Sequence, residues 1–405
     1  MGVGILLNNI NPEMFFMINL ISHSPQNEKI LSLKKINETN FNWLTFLELA
    51  KKHHLTTYLA QKIEELDIDY IPSVILIALK SQISHNRDRN NVLCHELLKI
   101  LNLLKTENIV AVPFKGPTLA LQLYGNMTSR FSRDLDVLIQ KQDMSKALQV
   151  LVEEGYTFQK EVHSAKKEQA YIKYNGQYLM FSPDGTIAVE PHTMFGPSTL
   201  SLNIDHQALW QNTVEMEFAD QKIEVFKTET LFLILCVHGS KEKWRRLKWI
   251  IDVSRLLDEN PKLDWQYILS EADKWGCLRM VYVAISLTQR IFNAPIPENI
   301  QQKIANERFV GYLVDVVEES LEDITPDLSS IYDISLFILS IRESNYDKIK
   351  YLTRTIFTPR DFHYELVDLP EALFFCYPLI KVIHDYLLLP LWKAQKFILR
   401  NTTTS

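Results

Sequence analysis

The sequence predicts an α+β protein, a mixed sheet with helices flanked by N- and C-terminal helical regions. Three observations predict it. Glycine is scarce, 11 residues among 405, while leucine, isoleucine and lysine are plentiful, which favours helix over an all-β plan. Apolar residues recur at helical spacing up to about residue 105 and again from 228 onward. Between those stretches lie short aromatic and β-branched runs separated by turn residues, the pattern of strands. The length allows two or three domains. The shifts in pattern divide the chain into an N-terminal helical lobe (1–105), an α/β core (106–226) and a C-terminal helical domain (227–405).

In the first region, Phe41 to Ala50 carries an apolar stripe that Asn40 can cap. Leu55 to Leu66 repeats it. Pro72 starts a helix toward His85, and Val92 to Leu104 forms another, with Leu93, Leu97, Ile100, Leu101 and Leu104 on one side. Arg87 and Arg89 read as solvated. In the core, Ile109 to Phe114 reads as a strand, followed by Lys115-Gly116-Pro117, a tight turn that opens a helix with Pro117 at its first position. Asp134 to Ile139 is the next strand. Met144 to Glu154 is a helix with Leu148, Leu151 and Val152 inward, closed by Gly155. Tyr156–Phe158, Ala170–Tyr174, Tyr178–Phe181 and Ile187–Val189 read as strands, with Asn175-Gly176 as a hairpin turn and Ser182–Gly185 as a second turn. Ala208 to Phe226 is expected to close the sheet.

The last region opens with Thr228 as a cap for Leu231 to His238. Continuing that helix puts Lys241, Arg245, Lys248, Asp252 and Arg255 on one face. That face is either a basic wall across a cleft or a solvated surface held by Lys248–Asp252 and Asp252–Arg255 pairs. Trp244, Trp249 and His238 read more readily as packed side chains than as ligand contacts. Residues 280 to 400 give further amphipathic helices in which Arg354, Arg360 and His363 stand isolated.

The chemistry concentrates at Asp134-Leu135-Asp136. In a strand, residues two apart face the same way. Both carboxylates therefore aim at one site, roughly 7 Å apart at the backbone, a spacing suited to hard cations that take oxygen ligands. Glu190, two residues before His192 on the same face of a later strand, brings a third acid. Gly116 permits close approach of backbone to a ligand, the following helix N-terminus favours anions, and Lys115 adds a charge for phosphate.

This ordered set resembles the nucleotidyltransferase superfamily, whose best-known fold is that of DNA polymerase beta. It is most similar to the uncharacterised bacterial nucleotidyltransferase family, with Lys-Gly, then Arg, then Asp-hydrophobic-Asp-hydrophobic-Leu, then an acid before His. Those positions here are Lys115-Gly116, Arg130, Asp134 to Leu138, and Glu190 with His192. The resemblance covers about residues 40 to 260 and implies a polymerase-beta-like mixed sheet. It makes Asp134, Asp136 and Glu190 the catalytic, metal-binding carboxylates for two Mg²⁺ (or Mn²⁺) ions. The Gly116 turn becomes the triphosphate cradle, although the superfamily has Gly-Ser or Gly-Gly where this chain has Gly116-Pro117. The expected reaction moves an NMP from an NTP, ATP by expectation, to a hydroxyl or phosphate acceptor and releases pyrophosphate. Lys115, Gly116, Arg130, Arg133, Lys241 and Lys248 are expected at the nucleotide, with Arg133 ranked below Arg130 because strand alternation would turn it away. His192 and His238 are expected at the acceptor or behind the metal ligands. The resemblance implies an acceptor that is a small molecule, glycan, peptide or protein. The alternative is a catalytically inactive binding or regulatory protein on the same fold, toxin–antitoxin-like.

Other classes lose support. A net charge of −6 gives no global electrostatic case for nucleic acid. Cys94, Cys236, Cys277 and Cys376 are too scattered for a disulfide framework or a zinc site, which fits free thiols in a reducing cytoplasm. The N-terminal stretch lacks the pattern of a secretory signal. No apolar run approaches the roughly eighteen residues of a spanning helix. Tyr386 to Trp392, the nearest, is short and holds Pro390, so no membrane contact is expected. Nucleophile-elbow, P-loop and dinucleotide fingerprints are absent from the sequence.

Overall fold

The computed structural model describes residues 10–37, 41–127, 129–159, 176–196, 198–322, 335–392 and 395. The expected strand Ala170–Tyr174, the Asn175 half of its turn and the Asn40 cap lie outside the described residues.

Five helices come first: α1 (Pro12–Ile21), α2 (Gln26–Asn37), α3 (Trp43–Lys52), α4 (Thr56–Glu65) and α5 (Ser73–Thr106). Asn42 caps α3, its side chain accepting from the amides of Leu44 and Thr45. The two helices expected after Pro72 are one helix of 34 residues. No glycine or proline interrupts it. The polar turn between the two apolar halves is buried through Asn86 and Asn90, whose side chains bond to the Arg130 carbonyl in the loop ahead of Asp134.

The sheet elements follow: β1 (Ala111–Pro113), α6 (Pro117–Tyr124), β2 (Asp134–Ile139), α7 (Met144–Glu153), β3 (Thr157–Phe158), β4 (Met180–Phe181) and β5 (Ala188–His192). Strand order is β1-β2-β5-β4-β3. β2 and β5 run parallel, and the other neighbours antiparallel. On α7, Leu148 and Leu151 are buried as expected, but Val152 faces solvent, because Met144, Ala147, Leu148 and Leu151 already define the inner stripe. After α8 (His206–Trp210), β6 (Thr213–Phe218) and β7 (Gln221–Phe226) form a separate two-stranded sheet. They do not close the main one. The backbone at Ala219 and Asp220 has φ of 45° and 62°, the left-handed pair of a tight hairpin, so the strands pair with each other.

Helices complete the chain: α9 (Thr228–Lys241), α10 (Leu247–Glu259), α11 (Trp265–Trp275), α12 (Leu278–Phe292), α13 (Glu298–Ala305), α14 (Val310–Leu321), α15 (Leu336–Ile341), α16 (Asn345–Phe357), α17 (Asp361–Leu366) and α18 (Tyr377–Ile383). Thr228 is the first residue of α9 and not its cap. The single helix expected through Lys241–Arg255 is broken between Lys241 and Leu247. Lys243 and Trp244 adopt left-handed backbone, and the fully buried Trp244 ring packs against Gly239, where a Cβ would come within 2.3 Å of it. Glycine at 239 and tryptophan at 244 thus turn the chain back, and α9 packs beside α10.

Two cores meet across the sheet. Leu135, Val137 and Ile139 of β2 pack with the second half of α5, with α7 and with the β6–β7 hairpin. Leu138 of the same strand joins the core of α1, α3, α4, α9, α10 and α12. Alternation along β2 therefore sends Asp134 and Asp136 toward the helical side.

Candidate active site

The strand register sets the site. In the parallel β2–β5 pair, Asp136 stands opposite Glu190 and Leu138 opposite His192. Asp136, Glu190 and His192 offer ligand atoms that all lie within 4.8 Å of one another. His192 Nε2 is 3.0 Å from Asp136 Oδ1 and 3.3 Å from Glu190 Oε2. The Lys115 ammonium donates to Asp136 Oδ1 at 2.9 Å. Phe114 meets the His192 ring edge-on, with centroids 5.2 Å apart, so the imidazole is a buried wall behind Asp136.

Asp134 sits one pleat nearer solvent. The loop entering β2 has no ladder partners, and each of its carbonyls is tied from elsewhere, as buried backbone requires. Asn90 Nδ2 donates to the Arg130 carbonyl at 3.0 Å and Lys248 Nζ to that of Phe131 at 2.7 Å. Arg89 donates to Ser132 at 3.1 Å and to Arg133 at 2.7 Å. Arg89, expected to be merely solvated, is a clamp on this loop. On the other side, Gly116 has φ +69°, a backbone conformation that side chains rarely adopt, and a Cβ there would make a tight 3.2 Å contact with the Asp134 carbonyl. The glycine lets the α6 N-terminus close against β2. The Thr118 hydroxyl, the first after Gly116, donates to the Lys115 carbonyl.

A cleft of about 230 Å³ opens over these groups. Lys115, Gly116, Arg133, Asp134, Asp136, Glu190, Lys241 and Lys248 line it, along with His238 and Arg130. Arg133 faces the cleft because it precedes the strand and escapes its alternation. Arg130 lines the wall but is engaged: its Nε and Nη2 donate to the two carboxylate oxygens of Asp252, each at 2.9 Å. Tyr124 Oη donates to the same carboxylate at 3.0 Å. The expected Lys248–Asp252 and Asp252–Arg255 pairs are not those formed. Lys248 holds the Phe131 carbonyl and Arg255 pairs with Glu259. His54, Phe131, Gln177, Arg246 and Trp249 also line the cleft. His54, just past the end of α3, carries no local pattern that points to the cleft. Trp249, expected in the core, stands edge-on to His238 with centroids 5.6 Å apart.

The electrostatics divide the cleft in two. Burial opposes ionisation of Asp136, yet Lys115 and His192 hold its carboxyl well below the usual carboxylate range. Burial and the adjacent Asp136 and Glu190 raise Asp134. Burial works against the His192 cation, but Asp136 and Glu190 outweigh it and raise the imidazole. The outer wall gathers Arg133, Lys241, Arg246 and Lys248 with one acid, Glu242, and this crowding of like charge works against its buried cations. Burial, with Arg130 alongside, pushes Lys248 down to about 7, and burial with Lys248 and Arg246 pushes His54 down to about 3. Burial, Lys115 and Lys241 keep His238 neutral. A negative floor beneath a positive wall is complementary to a polyphosphate carried with divalent cations.

The sequence model of a family described as Uncharacterised nucleotidyltransferase matches residues 39–293. The chain belongs to that family. The matched span of this nucleotidyltransferase runs from just before α3 to the end of α12, so it includes the sheet, the Gly116 turn and the α9–α10 wall. Comparison with curated proteins and with solved structures finds no match.

Proposed function

We propose that the nucleotidyltransferase is metal-dependent and transfers an NMP from an NTP to a hydroxyl or phosphate acceptor with release of pyrophosphate. The observation that carries this reading is the convergence of Asp136, Glu190 and His192 with Asp134 on one edge of a cationic cleft. The donor set suits Mg²⁺ or Mn²⁺: it is oxygen-rich, and Asp134 carries a repulsion that a cation relieves. Asp134, Asp136 and Glu190 would hold the ions, which would supply charge neutralisation at the reacting phosphate.

The chain's own groups do the positioning. The acceptor oxygen bonds to the α-phosphorus as the bond to the bridging oxygen breaks, and pyrophosphate leaves with that electron pair. Glu190, at the open side of the cleft, accepts the acceptor proton. Lys115, Arg133, Lys241 and Lys248 line the cleft beside the acids and bind the triphosphate. Gly116 brings the N-terminal amides of α6 to the phosphates. His192 orients Asp136 and Glu190 from behind. ATP is the NTP we would supply first, and a cytoplasmic setting fits the chemistry.

The test is pyrophosphate release from labelled NTP and Mg²⁺ with candidate acceptors. Asp136→Asn should lower turnover by at least about 10³-fold, and unchanged turnover in that variant would remove the carboxylate from the mechanism. One observation favours the inactive alternative: Asp136 is already neutralised by Lys115 and His192. That reading expects NTP binding by calorimetry with no pyrophosphate under any acceptor.

A further inference from the structure

The helical stretch Ala372–Trp392 has its apolar side outside. By length and composition it is long and apolar enough to cross a membrane, yet only 17% of its most apolar window is buried. A core helix of that composition would be mostly covered. Phe375, Leu379, Ile383, Leu387 and Leu391 recur every four residues and all are exposed, Phe375 at 76% and Leu391 at 68%. Tyr386–Trp392 taken alone is too short to span and holds Pro390, but the chain is helical across that proline from Ala372 through Trp392.

The inward side carries polar groups beside the buried Tyr377. Asp385 and Lys381 are buried. Asp385 accepts from Arg360 Nη2 at 2.8 Å and from His363 Nε2 at 3.1 Å, with His384 Nδ1 at 2.6 Å. This is not a metal site in waiting. His363 Nδ1 accepts the Arg360 amide at 2.9 Å, which leaves the ring proton on the nitrogen facing Asp385. A metal-bound histidine normally donates from its other nitrogen. The cluster is a polar anchor that ties one side of the helix to α17.

We propose that the exposed side of Ala372–Trp392 lies in the headgroup layer of an anionic phospholipid bilayer, with its axis in the membrane plane. A contiguous exposed apolar surface of this length marks an interaction site. The Arg360–Asp385 anchor argues against a spanning helix, which would drag that ion pair into hydrocarbon. Trp392, half exposed at the end of this stretch, is a residue type of the bilayer interface. Charge selects the occupant. The chain is net −6, yet from Tyr386 onward the sequence holds Lys393, Lys396 and Arg400 and no acid. Such a run attracts anionic headgroups and repels a second copy of itself.

Flotation of the full chain with vesicles tests this. The protein should float with phosphatidylserine–phosphatidylcholine vesicles and at least about tenfold less with phosphatidylcholine alone. Leu379→Glu with Leu387→Glu, both at exposed positions, should abolish flotation without changing the melting temperature. Lys393→Glu with Lys396→Glu should remove the lipid preference. No flotation on either vesicle, or equal flotation on both, overturns the proposal. So does a dimer by light scattering that the leucine substitutions dissolve, which would assign the face to self-association. Resistance of the bound chain to alkaline carbonate extraction would make the helix a spanning one and overturn the in-plane placement.

Discussion

Arg130 and Asp252 lie 122 residues apart in sequence and meet with two 2.9 Å hydrogen bonds, both side chains nearly inaccessible. Neither belongs to the acid set, but together they fix the loop that presents Asp134 against the helix that presents Lys248. Burying two charges is costly, and the geometry must be good for the pair to persist. Tyr124 adds a third bond to the carboxylate. Asp252→Ala therefore strands a buried guanidinium and should lower unfolding free energy by about 3–5 kcal/mol. Arg130→Met with Asp252→Leu should recover most of that in urea denaturation. A single-variant loss below about 1 kcal/mol would mean the pair is effectively solvated. The acids were legible in the sequence because strand period and spacing place Asp134 and Asp136 on one face. The Arg130–Asp252 pair was not, because no local rule brings position 130 to position 252. A helical (i, i+4) rule pointed instead to Lys248.

Helix α10 begins without a side-chain cap from its own neighbours. Its first amide, Leu247, donates 3.1 Å to Nδ1 of His53, while His53 Nε2 meets the Leu321 carbonyl at 3.1 Å. One buried imidazole at the end of α3 thus joins α10 and α14, with its proton on Nε2. Burial, with Lys52 nearby, pushes His53 from 6.5 down to about 3. The unfolded chain then takes up the proton first as pH falls. Stability is full above pH 6.5 and declines between there and about 3, by an amount on the order of a few kcal/mol. His53→Phe should lose about 1–3 kcal/mol at neutral pH and show a shallower decline on acidification when denaturation midpoints are compared at pH 7 and pH 4. His54, depressed to a similar value, accounts for a residual slope. An unaltered pH dependence in the variant would show that His53 is not the titrating group. Element boundaries were legible where turn chemistry is local, as at Gly116 and Gly155. They failed at the α9–α10 break, where the cause is a tryptophan ring seated on a glycine five residues earlier.

Across the whole molecule, the N-terminal helices share one core with the helices that follow the sheet. Phe16, Phe46 and Leu59 belong to the same buried cluster as Phe232, Ile250 and Val283. Backbone and side-chain bonds tie the two sets of helices together, from the His23 amide to the Phe292 carbonyl at 2.8 Å and from Lys52 Nζ to the Leu321 carbonyl at 2.5 Å. A fragment of residues 106–405 would expose that surface. It should aggregate or bind a hydrophobic dye, and the intact chain should unfold in a single transition by calorimetry. A monomeric, cooperatively melting fragment would show that the N-terminal helices are dispensable to the fold.

The sequence by itself determined the α+β class, the strand that carries Asp134 and Asp136, the glycine turn ahead of it and the acid that joins them, because periodicity, turn residues and alternation act over a few neighbouring positions. Only the tertiary structure decided which cations face the acids, how Asp252 is spent, where the basic helix breaks and which side of Ala372–Trp392 is covered. Those depend on burial and on partners distant along the chain, and the free energy of a charge or an apolar surface is set by what packs against it.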